Sequence, residues 1–437
     1  MSLSRRQFLL GAAGAAAAGT AGVVLAKSPW EPGSPSPSPA AGAGAAAQPT
    51  SPPGPGPAPA PTGKGGILVV VTLYGGNDGL NTLIPYQAGQ YLGGRPDLGY
   101  KPDEVIPLDD GLALHQNLKG LKGMWDQGRL AVVRGVGYPN PNRSHFRSMD
   151  IWQTASPENG VVTGWLGRWL DRTGDDPLRA VSVGDSLPRL LAGERVAGSS
   201  VPVGSLTLPG SAAVASGFAA LSRPVASGSG LGNRVAQTGA DLLAVNGRIS
   251  ELLATLPPAG SAGTPTGPGL DGTDEDTSAA GALGTQLDLV AKLIKAGSDT
   301  KAYSVSLGGF DTHANEKDTH ARLMGQLDAA VTAFFRQLGT DGRAGDVVLM
   351  TYSEFGRRVA ANASGGTDHG TAGPVFVAGP HVKGGFYGDE PSLTDLDQGD
   401  LRFTTDFRSI YATMLGQVIG VDPTVSLAKG FPPLPFV

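Results

Sequence analysis

The chain has 437 residues, a formal net charge of -5 and no cysteine, which excludes disulfides, thiolate metal sites and a lipid anchor on cysteine. No basic run accompanies the mildly acidic balance, so nucleic acid is excluded as a partner class. Gly 67 and Pro 35 are high counts for a globular chain, but many of these residues fall in two segments that stand apart from the rest.

The first segment begins at the N-terminus, "MSLSRRQFLLGAAGAAAAGTAGVVLAKS", where Arg5 and Arg6 precede a small-residue apolar run. The pattern reads as a twin-arginine export signal over residues 1–26, either cut after Ala26 or kept as an anchor. The twin-arginine translocase is then a partner during export, and the destination is the periplasm, the cell envelope or the outside. Residues 27–63 are almost wholly Pro, Ala, Gly and Ser, too poor in apolar area to offset chain entropy, and read as a disordered linker. Residues 64–437 form one domain, interrupted at about 257–278 by a second low-complexity stretch, "PPAGSAGTPTGPGLDGTDEDTS".

Within that domain, near-continuous apolar runs predict strands at Gly66–Gly76, Leu130–Gly137, Leu178–Gly184, Ala302–Gly309, Asp346–Gly356 and Pro374–Pro380. Helical periodicity separates several of them, at 116–128, 235–256, 321–339 and 406–420. In "GWLGRWL", Trp165 and Trp169 stand four apart and belong on one buried helix face. Strands alternating with helices predict an α/β fold of three layers, a mostly parallel sheet with helices on both faces. Such a sheet gathers its ligand site outside the carboxyl ends of the strands.

The strand exits carry the polar residues that this rule requires. After the first strand stand Asn77 and Asp78; the second runs into "GYPNPNRSHFRSMD" with Arg143, Ser144, His145 and Arg147. The fourth ends in Asp311 and His313, the fifth in Ser353, Glu354 and Arg357, and Asp368 and His369 lie just before the sixth. Carboxylates and imidazoles without thiolates suit a divalent metal such as Zn, Mn or Mg. Asp78, Asp311, His313, Glu354, Asp368 and His369 are the candidate ligands. Adjacent Asp368 and His369 diverge on a regular strand and can serve together only from irregular backbone. Ser144 is the candidate nucleophile, with Arg143 and Arg147 as anion contacts; as a plain alternative, it caps a helix.

Taken in order, "LVVVTLYGGNDGLNTLIPY", "LAVVRGVGYPNPNRSHFRSMDIWQTA", "GGFDTH", "TYSEFGRR" and "GGTDHGTAGPVFVAGP" resemble an exported bacterial family known as domain of unknown function 1501. That family is similar at a distance to the alkaline phosphatase and sulfatase superfamily. The resemblance covers the chain from about Gly65 to the C-terminus and implies an alkaline-phosphatase-like fold. It also implies a metal-dependent hydrolase of phosphate or sulfate esters acting on a small anionic ester. Ser144 would be the nucleophile, Asp78 the aspartate after the first strand, and Asp311 with His313, Glu354, and Asp368 with His369 would complete one or two metal sites. Two departures stand out: Asp311 and His313 are closer in sequence than the superfamily spacing, and Ser353 with Glu354 replaces an Asp-His pair. One imidazole fewer shifts the expected ion from Zn toward Mn, Mg or Ca, or marks a non-catalytic cell-envelope binding or assembly protein that keeps the fold.

Overall fold

The computed structural model describes residues 65–203, 212–223, 230–256, 275–339 and 342–437. The expected signal and linker (1–63), and residues 257–274 of the low-complexity stretch, lie outside them. Internal contacts divide the chain into two units. Of the smaller, which includes Thr207–Ala220, the described part is residues 212–220 of the helix Ala212–Leu221, none of which is buried. The larger comprises Pro59–Leu206 and Leu221–Val437 and holds everything below.

Its centre is a nine-stranded sheet. The strands, in chain order, are β1 (Ile67–Tyr74), β2 (Leu130–Gly137), β3 (Ala180–Val183), β4 (Ser199–Val201) and β5 (Ala302–Gly308). They continue with β6 (Val347–Ser353), then β7 (Arg357–Ala361) and β8 (Thr367–His369), which pair with each other off the main sheet, and β9 (Gly373–Ala378). The main sheet is completed by β10 (Gly385–Tyr387) and β11 (Thr405–Asp406). Across the sheet the order is β10-β2-β9-β6-β1-β5-β3-β4, with β11 also on β2. All neighbours are parallel except β9, which runs antiparallel to both β2 and β6. All six strands expected from apolar runs are present. The short edge strands β4 and β10 were not expected, because three residues are too few to display a periodicity.

The period of two explains why β1 is apolar throughout. Ile67, Val69, Val71 and Leu73 join a core on one side of the sheet, whereas Leu68 and Val70 join a second core on the other. The first core is closed by α2 (Lys119–Asp126), α5 (Gly230–Ala254), α6 (Glu275–Lys295) and α7 (Glu316–Leu338) through Leu121, Ile249, Leu287 and Leu327. The second is closed by α3 (His145–Thr154), α4 (Trp165–Thr173) and α8 (Phe407–Thr413) through Trp152, Trp165, Trp169 and Tyr411. A short helix α1 (Gly79–Thr82) follows β1 directly. The fold is therefore the three-layer α/β arrangement expected, and Trp165 and Trp169 face inward as their spacing requires. Each fully buried Val, Leu or Phe adds about 1.5–3 kcal/mol of transfer free energy, which is why central β1 tolerates no polar residue but Thr72.

β1, β5 and β6 lie side by side and in parallel, with Leu73 registered to Leu307 on one flank and Ser353 on the other. Their carboxyl ends thus emerge at one rim. Gly75 turns the chain there at φ 118, and an added Cβ would meet the Asp311 and Phe310 backbone at under 3 Å, so two strand exits touch only because this residue is glycine.

Candidate metal centre

Four of the expected residues meet at this rim. Asp311 and His313 leave β5, His369 ends β8 and Asp368 precedes it. His145, the first residue of α3, joins them. Every imidazole in the group is held the same way. His369 Nδ1 lies 2.8 Å from the Arg143 carbonyl, His145 Nδ1 lies 2.8 Å from Glu354 Oε1, and His313 Nδ1 approaches Asp368 Oδ1 at 3.5 Å. In a neutral imidazole the single proton, placed on the nitrogen that faces the oxygen behind it, leaves the other ring nitrogen with its lone pair.

All three of those second nitrogens point at one oxygen. From Asp311 Oδ1 the Nε2 atoms of His369 and His313 are each 3.1 Å away, and that of His145 is 3.4 Å away. The two Nε2 atoms of His313 and His369 are 2.9 Å apart. His145 Nε2 is buried and has no hydrogen-bond partner. Three lone pairs converging on a carboxylate repel unless a positive charge sits among them. Protonating all three rings would crowd three cations into the same few ångströms; one divalent ion meets the need with none. The separations agree with the chemistry, because tetrahedral bonds of 2.0–2.1 Å put neighbouring donors roughly 3.3 Å apart. His145, Asp311 and His369 form a group able to hold a metal ion, the one such group among the described residues, and His313 borders it.

The shell around these donors is fixed by burial. Glu354, 2% exposed, accepts from the Gly75 N–H at 2.9 Å as well as from His145. This is the carboxylate–histidine pairing that fixes the tautomer and orientation of a ligand imidazole. Arg357 has a fully buried guanidinium that donates to Asp311 Oδ1 at 2.8 Å and to the carbonyls of Gly75, Gly76, Phe310 and Thr367. It therefore knits the exits of β1 and β5 to β8. Burial works to raise the Asp311 pKa, but the hydrogen bond and the positive charge of Arg357 override it and bring the value down to about 2, so Asp311 is ionised at neutral pH.

Asp78 is not part of the gathering. It lies just past β1, but its carboxylate is fully buried and both oxygens take Arg95, at 2.5 and 3.0 Å, while Oδ1 also caps α1 through the Leu80 N–H. Burial pushes its pKa up, and the Arg95 guanidinium more than compensates, holding it well below the carboxylate range. The Glu316 carboxyl beside it is pushed up by burial and by the Asp78 charge. Burial likewise keeps His320 and His115 neutral, at about 4 and about 3.

Ser144 is exposed at the N-cap position of α3, yet its hydroxyl caps no backbone N–H, so the plain capping alternative is not what the hydroxyl does. Its neighbours in sequence both touch the donor group: the Arg143 carbonyl holds His369, and His145 belongs to it. The Arg143 side chain pairs with buried Asp400, and that of Arg147 with Asp150 at 3.2 Å and the Pro157 carbonyl at 2.6 Å. Sequence reasoning passed over His145 in favour of Ser144. The signal available was its position at a strand exit beside the chosen serine.

Fold and site together define an α/β domain with a His/Asp group at the carboxyl rim of a mostly parallel sheet. Residues 271–430 match the family described as a protein of unknown function (DUF1501), in agreement with the motif resemblance over that stretch, which contains "GGFDTH", "TYSEFGRR" and "GGTDHG". No curated protein matches the chain in sequence. Among solved structures, the chain is similar to a protein in the alkaline phosphatase superfamily from Vibrio parahaemolyticus, with 13% identity, 85% of this chain and 72% of that one covered, and a TM-score of 0.38. It is also similar to the lipoteichoic acid synthase LtaP from Listeria monocytogenes, at 10% identity over 84% and 75% of the two chains with a TM-score of 0.40. A third is the C-terminal periplasmic domain of EcEptC from Escherichia coli, at 10% identity over 84% and 89% with a TM-score of 0.37. No helix among the described residues is long and apolar enough to cross a membrane.

Proposed function

We propose that the protein is an exported, metal-dependent hydrolase of phosphate or sulfate esters with Ser144 as nucleophile. The observation that carries this reading is the convergence of three imidazole nitrogens on Asp311 Oδ1, each pinned from behind by an oxygen. A divalent ion bound there would supply positive charge opposite the anionic ester and lower the cost of ionising a nearby hydroxyl. The protein's own part is to place that charge, to shield its ligands with Glu354 and Arg357, and to leave the hydroxyl of Ser144, next in sequence to His145, exposed and uncommitted. In the transfer, Ser144 Oγ gives its proton to solvent and forms a bond to phosphorus or sulfur. The ester bond breaks, the alcohol leaves with its electron pair, and water then frees the serine. The substrate is a small anionic ester met outside the cytoplasm, and the paired Arg5 and Arg6 support delivery by the twin-arginine route.

The test is turnover of phosphate monoester, phosphate diester and sulfate ester probes by metal-loaded protein. Ser144→Ala is expected to lose at least about a thousandfold in kcat with metal content unchanged. Turnover that survives the substitution on every probe would remove Ser144 from the chemistry. Metal bound but no turnover by the unmodified protein would favour a binding role in the cell envelope.

A further inference from the structure

We infer that the rim holds one divalent ion, not two, liganded by His145, Asp311 and His369 with His313 at its edge, and that Asp78 and Glu354 stay out of coordination. The inference rests on the metal-dependent reading above, and three observations carry it.

The first concerns the carboxylates that a second ion would require. Asp78 has no free oxygen to give: Oδ2 accepts from Arg95 at 2.5 Å, and Oδ1 accepts from Arg95 at 3.0 Å and from Leu80 at 3.2 Å, with the side chain fully buried. Arg95 is held in place as well, because two further N–H groups donate to the carbonyls of Val359 and Arg358 at 2.9 and 2.6 Å. Freeing Asp78 for a metal would leave a guanidinium buried without a counter-charge.

Glu354 is committed in the same way. Its Oε1 takes Gly75 N–H and His145 Nδ1, and its Oε2 lies 3.0 Å from the Ser353 hydroxyl. Were Glu354 to turn to a metal, His145 would lose the acceptor that fixes its proton on Nδ1. The role of Glu354 is thus to position a ligand.

Charge is the third observation. Asp311, Asp368 and Glu354 bring three carboxylates to the group, and the buried Arg357 guanidinium, in contact with Asp311, offsets one of them, which leaves two negative charges for incoming metal to balance. One divalent ion brings this set to neutrality. A second would add two uncompensated positive charges beside the buried Arg357 guanidinium. Asp368 alone could greet it, and that side chain is 58% exposed and already near Asn362 Nδ2 at 3.3 Å.

The measurement is metal stoichiometry of the full chain loaded with Mn(II) and desalted, read by mass spectrometry and by electron paramagnetic resonance. One equivalent per chain is expected, with the spectrum of an isolated ion rather than of a coupled pair some 3.5–4 Å apart. Glu354→Gln is expected to keep one equivalent at roughly 10–100-fold weaker affinity, the size of effect typical of a ligand's hydrogen-bond partner. Asp78→Asn keeps one equivalent with affinity unchanged. Two equivalents in the unmodified protein, falling to one in either variant, would overturn the inference and leave the hydrolase reading standing. No bound metal at all would overturn both.

Discussion

Asp78→Ala is expected to cost about 3–5 kcal/mol of unfolding free energy, because it strands the Arg95 guanidinium in a site with no solvent exposure and no other ionised partner in contact. The loss has two further components: α1 forfeits the side chain that caps Leu80, and the Glu316 carboxyl loses its neighbour. Removing both charges together, as in Asp78→Ala with Arg95→Met, is expected to be milder than the single change, since a paired deletion leaves no orphan. Urea unfolding of the three variants measures this. A wild-type midpoint for Asp78→Ala together with loss of bound metal would contradict the structural assignment and return Asp78 to the ligand set that sequence alone suggested.

Arg357→Lys is expected to cost about 1–3 kcal/mol even though the charge is kept. The guanidinium serves four carbonyls and Asp311 at once, from nitrogens fixed in a plane. A lysine brings three donors on a flexible stem that cannot reproduce the planar fork, and each buried carbonyl it fails to reach costs about 1–3 kcal/mol. Because the same contacts join the exits of β1 and β5 to β8, the variant should also bind Mn(II) more weakly. Unfolding curves and metal titration of the same sample check both halves; stability within about 0.5 kcal/mol of the parent would show that Arg357 is an ordinary surface-type contact.

The architecture was legible because its signal is collective. β1 is buried on both faces, so its run Ile67–Leu73 is apolar in both parities apart from Thr72, and its β-branched residues and flanking glycines mark it as a strand. The rim was legible for the same reason: a parallel sheet sends its carboxyl ends to one side, so polar residues at several exits converge. What sequence could not decide is which polar residue at each exit turns inward. Asp78 looked like a ligand from its position after β1, but the partner that consumes it, Arg95, is seventeen residues on, in a segment with no motif of its own. Ser144 and His145 are adjacent and equally plausible by position; the helix start turns the imidazole toward Asp311 and leaves the hydroxyl in solvent. Glu354 reads as a donor in any alignment of charges, and only the arrival of Gly75 N–H and His145 shows where its oxygens are spent. Adjacent Asp368 and His369 do diverge, as a strand requires: His369 reaches Asp311, whereas Asp368 stays near His313 Nδ1 and Asn362.

The proposed hydrolase depends on a cation lying where three imidazoles face one carboxylate. The most direct measurement is an anomalous-difference map from crystals grown with Mn(II), collected near the metal edge. A single peak bounded by His145 Nε2, His369 Nε2 and Asp311 is the predicted result. A map without that peak, in crystals whose histidines keep these positions and prove doubly protonated by NMR of the same protein, would contradict it.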